Sequence, residues 1–119
     1  MVVEDEADTR EMLGTALESY GASVLLAADA AQAVIQMIRE RPDVLLSDIG
    51  LPNMDGYELL SKIRSEFPEE LRNIPAVALS AYANIEHREK SKRVGYNAHV
   101  AKPVALPDLV SALAKAVGR

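Results

Sequence analysis

Five short apolar runs alternate with stretches of helical periodicity along the 119 residues. Residues 2–3, 23–28, 43–48, 74–80 and 97–101 read as strands. After each, apolar residues recur three and four positions apart. A chain in this rhythm folds as a parallel sheet with helices on both faces, because each connection must cross over to restart a strand at the same end. The third run, Val44-Leu45-Leu46-Ser47, is apolar enough for a central strand covered on both sides. It ends in a single acid, Asp48, before the turn-forming Gly50-Leu51-Pro52-Asn53.

The helices carry readable stops and starts. Asp8-Thr9-Arg10-Glu11 has capping-box spacing, and Met12, Leu13, Ala16, Leu17 and Tyr20 fall on one face until Gly21 stops that helix. Asp29 caps the second, whose inner face is Ala30, Ala33, Val34, Met37 and Ile38, ending at Arg41-Pro42. Asp55 caps the third, striped by Leu59, Leu60, Ile63 and Phe67. Residues 68–73 read as a polar connection. Residues 82–93 are strongly charged with a thin apolar face, Ile85 and Val94, so a short, exposed or mobile helix is expected before Gly95. Leu106, Leu109, Val110, Leu113 and Val117 stripe the last helix.

Composition narrows the function. With 49% apolar residues the chain can bury a core as one domain, residues 1–119. It has no cysteine, which excludes a disulfide scaffold, a thiolate zinc site and a catalytic thiol. The net charge is −5 without a long basic run, so direct nucleic-acid binding is not expected. Its apolar runs are strand-length, too short for a membrane span, and no leader is read; a cytoplasmic module is expected. Met1-Val2-Val3 reads as the end of a strand, as in a domain taken from a longer parent.

Parallel strands bring their C-terminal ends to one edge. That edge gathers Glu4 and Asp5 from the first strand, Asp48 from the third, Ser80 from the fourth and Lys102 from the fifth. Carboxylates so placed repel one another unless a cation sits among them, and hard oxygens beside a phosphate suit Mg²⁺. An ionised Asp48 can then attack phosphorus, with Lys102, Ser80 and backbone N–H groups holding the phosphoryl oxygens.

Val2-Val3-Glu4-Asp5-Glu6, the run from Asp48 to Gly56, Leu79-Ser80-Ala81 and Ala101-Lys102-Pro103 closely resemble the receiver domain of two-component response regulators. The likeness covers nearly the whole chain and is greatest to receivers fused to hybrid histidine kinases. It implies a doubly wound (βα)5 flavodoxin-like fold. It implies phosphorylation of Asp48 by a phosphohistidine of a histidine kinase or histidine phosphotransfer domain, self-catalysed rather than an enzymatic reaction on a separate substrate. Mg²⁺, or Mn²⁺ in its place, would be held by Asp5, Asp48 and the Gly50 carbonyl, with Glu4 acting through water. Ser80 and Lys102 would hold the phosphoryl group, and the Lys102–Pro103 bond would be cis. The surface of the fourth helix and fifth strand would switch, and dimerisation could follow phosphorylation. The sequence departs from the family pattern at Glu4, where many receivers have Asp, at Ser80 for Thr, and at His99. His99 replaces the usual Tyr or Phe switch, so a pH-sensitive switch or a half-buried filler are the two readings for it.

Competing readings are a haloacid-dehalogenase-like phosphatase, a mononucleotide or flavin binder, and a receiver-like module that binds a partner without being phosphorylated. The first requires a second acid two residues after Asp48, where Gly50 stands. The second requires a Gly- or Ser/Thr-rich phosphate loop where Glu4-Asp5-Glu6 stands. Tyr82 is a candidate shield at the pocket mouth. Glu6 reads as a solvated loop acid, and His87 as a solvated helix residue.

Overall fold

The computed structural model of the protein describes residues 1–81 and 84–118. Its elements run β1 (Val2–Val3), α1 (Ala7–Ser19), β2 (Leu26–Ala27), α2 (Ala30–Glu40), β3 (Leu45–Asp48), α3 (Gly56–Glu66), α4 (Glu69–Arg72), β4 (Ala76–Ser80), α5 (Ile85–Val94), β5 (Ala98–Ala101) and α6 (Leu106–Ala116). All strand pairs are parallel, in the order β2-β1-β3-β4-β5. This is the doubly wound flavodoxin-like sheet. The chain leaves β1 toward β2 on one side and later returns to place β3 on the other, which opens a crevice at the carboxyl ends of β1 and β3.

Alternation along the strands builds two cores. Leu45, Ala76 and Ala78 pack with Ala33, Met37, Leu59, Leu60 and Ile63 of α2 and α3. Leu46, Val77 and Leu79 pack with Leu13 and Leu17 of α1 and Leu109 of α6. The ladders are shorter than the apolar runs, but some backbone pairing continues past their ends: Val2 N–H donates to Leu25 O at 2.8 Å and Asn97 N–H to Ala76 O at 2.7 Å.

Helix α1 departs from its expected start and face. It begins at Ala7, with no side-chain cap, and Asp8 lies in its first turn. Thr9 Oγ1 donates to Glu6 Oε1 at 2.8 Å, so no capping box forms at Asp8–Glu11. The N-cap is Glu6, in extended backbone, two residues before the position that the spacing suggested. Met12 and Tyr20 are exposed, at 53% and 59%. The buried face is Leu13, Gly14 and Leu17, and Leu26 packs on Gly14 so closely that its Cδ2 would lie 3.1 Å from a Cβ there. Gly21, at φ +92°, ends the helix as expected, with Ala22 N–H on Leu17 O and Gly21 N–H on Glu18 O.

Asp29 and Asp55 cap α2 and α3, accepting from Gln32 and Glu58 N–H, each at 2.8 Å. Ile38 of α2 is half exposed rather than buried, while Ala30, Ala33 and Met37 carry the contact. The polar connection at 68–73 contains α4, which a single buried leucine, Leu71, anchors. In α5 the thin apolar face is thinner than expected, since Ile85 is 72% exposed and Val94 alone of the two packs on the core. Asn84 caps it through His87 N–H, and Gly95 ends it. Two glutamines of α2 lie along the free edge of β2: Gln36 Nε2 donates to Leu26 O at 2.9 Å, and Gln32 Oε1 accepts from Ala28 N–H at 3.0 Å. Among the described residues no helix is long and apolar enough to cross a membrane.

Candidate functional site

Strand register sets the site. Val3 pairs with Ser47, so Glu4 and Asp48 stand at one level at the end of β1 and β3. Asp48 pairs with Leu79, which puts Ser80 one residue further out, and Ser80 pairs with Ala101, which puts Lys102 just beyond. Lys102 N–H donates to Ser80 O at 2.9 Å, and the Lys102–Pro103 bond is cis, as the resemblance implied.

Glu4 and Asp48 are buried, at 1% and 6% exposure. Lys102 Nζ lies 2.9 Å from Asp48 Oδ2 and 3.3 Å and 3.4 Å from the two Glu4 oxygens. Asp5 is exposed at the rim, and carboxylate oxygens of Glu4, Asp5 and Asp48 lie within 4.8 Å of one another. Three carboxylates thus face one ammonium. Burial, then hydrogen bonding with Asp48 and its charge, push Glu4 up to about 7, and Lys102 only partly opposes them. Burial by itself would lower Lys102, but the bond to Asp48 and the charges of Asp48 and Glu4 outweigh it and raise the ammonium. The side chains alone leave negative charge uncompensated among hard oxygens. That donor set fits a small divalent cation.

The loop after β3 is tied to the acid it follows. Asp48 Oδ1 accepts the Gly50 N–H at 3.0 Å. Asn53 takes the left-handed conformation, φ 66°. Gly56 N–H donates to Ile49 O, and a Cβ on Gly56 would lie 2.5 Å from Asp48 O, so only glycine allows α3 to start this close to the strand. The sequence pattern Asp55-Gly56 signalled the cap but not this approach. Arg10 is a second residue that the sequence did not single out: its Nη1 donates to the backbone carbonyls of Glu4 at 2.9 Å and Asp5 at 3.4 Å. A base one helical turn after an acidic run was its available signal.

The structure therefore brings Glu4, Asp5, Asp48 and Lys102 together, with Gly50 bound through its N–H. Ser80 is buried at the adjoining strand end. His99 meets α5 instead, its Nδ1 3.2 Å from the Oγ of buried Ser91. His87, read as solvated, is half-buried, with Nδ1 3.3 Å from the Tyr57 hydroxyl. The expected shielding role of Tyr82 lies outside the described residues.

Known proteins resemble the chain in sequence and fold. Residues 1–114 match the family described as response regulator receiver domain. The chain is 42% identical over 110 residues to an uncharacterized 14.6 kDa protein in the sodA1 3′ region of Leptolyngbya boryana, covering 92% of this chain and 82% of that one. It is 34% identical to the probable transcriptional regulatory protein TcrX of Mycobacterium tuberculosis, over 92% of this chain but 45% of the regulator. The solved receiver domain of sensor histidine kinase PA1611 from Pseudomonas aeruginosa superposes with a TM-score of 0.87 at 36% identity, covering 99% and 95% of the two chains. That structure has a magnesium ion coordinated in its active site cleft. The likenesses extend to a transcriptional regulator and a kinase receiver, so they single out no one parent architecture. Fold, edge chemistry and kinship agree: the chain belongs to the response regulator receiver family, the module of two-component signalling that works with histidine kinases or phosphotransfer proteins.

Proposed function

We propose that residues 1–119 act as one receiver unit that accepts a phosphoryl group on Asp48 from a phosphohistidine. The observation that carries this reading is the Lys102–Asp48 ion pair at 2.9 Å beside two further carboxylates at the sheet edge. One Asp48 oxygen attacks phosphorus. The new O–P bond forms as the P–N bond to the donor imidazole breaks, and the bonding pair leaves on that nitrogen. Lys102 lies where it can pass from the carboxylate to a phosphoryl oxygen, and the Ser80 hydroxyl can donate to another.

Asp5, Asp48 and the Gly50 carbonyl would hold Mg²⁺, with Glu4 reaching it through water. Bound there, the ion would offset the charge of the carboxylates and the phosphoryl oxygens. The magnesium in the PA1611 receiver supports this assignment. The donor is a histidine kinase or phosphotransfer domain, which places the module in the cytoplasm. The output is a changed partner affinity of the α5–β5 surface, including phosphorylation-dependent dimerisation.

Intact mass after incubation with acetyl phosphate and Mg²⁺ tests the reading. Wild type gains one phosphoryl group, Asp48→Asn gains none, and chelation of Mg²⁺ abolishes the gain. A wild type that binds Mg²⁺ yet accepts nothing from acetyl phosphate or a phosphohistidine protein would overturn it, in favour of an unphosphorylated partner-binding module.

A further inference from the structure

Helix α5 has little apolar anchorage. Ile85 is 72% exposed, and Ser91 is the helix's buried residue. Polar contacts hold it instead, and several converge on the first turn of α3. Tyr57 is itself buried. Its hydroxyl lies 3.3 Å from His87 Nδ1 and donates to the His87 carbonyl at 3.4 Å. Lys90 Nζ sits 4.4 Å from the centroid of the same ring. Residues 87 and 90 are one helical turn apart, so one side chain grips one face of α5.

The same turn of α3 is fastened to Asp48. Gly50 N–H bonds Asp48 Oδ1, Gly56 N–H bonds Ile49 O, and Gly56 abuts the Asp48 carbonyl too closely for any side chain. Tyr96, just past the end of α5, donates to Gly56 O at 2.6 Å. Contacts therefore run from Asp48 through Gly50, Ile49, Gly56 and Tyr57 to the N-terminal half of α5 and to Tyr96 just past its end.

We infer that Tyr57 is a positioning residue that couples the state of Asp48 to the seating of α5, by a route separate from Ser80 and His99. This rests on the phosphorylation of Asp48 proposed above. On phosphorylation the carboxylate becomes an acyl phosphate, and its remaining acyl oxygen is a neutral acceptor. The Gly50 N–H bond loses its charge assistance. The loop at 50–55 relaxes, Gly56 and Tyr57 move with it, and the grip on His87 and Lys90 weakens. With little apolar surface beneath it, α5 then re-seats.

Amide hydrogen exchange of residues 85–94 tests this in wild type, Tyr57→Phe and His87→Ala. Each is measured before and after acetyl phosphate with Mg²⁺, with intact mass recording phosphorylation of the same samples. Before phosphorylation, Tyr57→Phe exchanges roughly three- to tenfold faster in α5 than wild type, and phosphorylation adds less than it does in wild type. His87→Ala moves the same way by less, since the carbonyl of residue 87 still accepts. Exchange in β1 and β3 stays at the wild-type rate, which a general loss of stability would not allow. If Tyr57→Phe is phosphorylated but keeps wild-type exchange before, or the wild-type increment after, the coupling is overturned while the phosphorylation stands. A wild type that gains no phosphoryl group overturns the proposed function, and the coupling with it.

Discussion

One lysine faces two buried carboxylates at the end of the sheet, and Glu4 bears the imbalance. Its value in the folded chain, about 7, lies above the ordinary 4.5, so the folded site binds a proton more tightly than the unfolded chain does. The stability this gives is full below about 4.5 and is lost as pH rises through about 7, a change on the order of 3 kcal/mol. The buried Met1 amine, lowered to about 6, contributes with the opposite sign over the same range, so the comparison is with Glu4→Gln. Thermal melts in a chelator should show wild type losing stability relative to Glu4→Gln between pH 5 and pH 8, and Mg²⁺ should remove that loss, because it competes with the proton. At this scale the candidate site was legible wherever a residue ends a strand, because β-register alone places Glu4, Asp48, Ser80 and Lys102 on one edge. Arg10 and Tyr57 were not legible. They reach their partners through long side chains from helix faces, and spacing in sequence does not encode that reach.

Among elements, the junction of β3 and α3 is close-packed, and Gly56 there has the nearest neighbours of any described glycine. A methyl group on Gly56 would meet the Asp48 carbonyl at 2.5 Å and the Ile49 Cα at 2.8 Å, both backbone atoms that cannot swing aside. Gly56→Ala should cost roughly 1–3 kcal/mol in chemical denaturation and slow phosphorylation by displacing Asp48. Helix boundaries were legible where one short side chain or one glycine makes them: Asp29, Asp55, Gly21 and Gly95 all act as their positions suggested. They were not legible where tertiary contacts decide. α4 exists because Leu71 finds the core and Arg64 Nη1 holds the Arg72 carbonyl at 2.9 Å, inside a stretch otherwise read as polar loop. Met12 and Tyr20 fit the helical period of α1 yet stay exposed, because the helix turns Leu13, Gly14 and Leu17 to the core, which leaves Met12 about half a turn away, and Tyr20 stands past the last helical residue.

At the scale of the whole molecule, strand–helix alternation was enough to foresee a parallel sheet covered on both faces, since crossover handedness leaves few alternatives. What alternation does not reveal is how such a sheet ends. β2 is an outer strand of two residues, and the carbonyl of Leu26 and the N–H of Ala28 are taken by Gln36 and Gln32. Those glutamine amides stand where the backbone of another molecule would add a strand. Replacing both with valine should leave the melting temperature nearly unchanged but produce concentration-dependent self-association by light scattering. If a switch of this kind needs its assembly state set by phosphorylation, its sheet must not join others unprompted. On that view the two glutamines keep the edge silent, so that association is left to the surface that the signal controls.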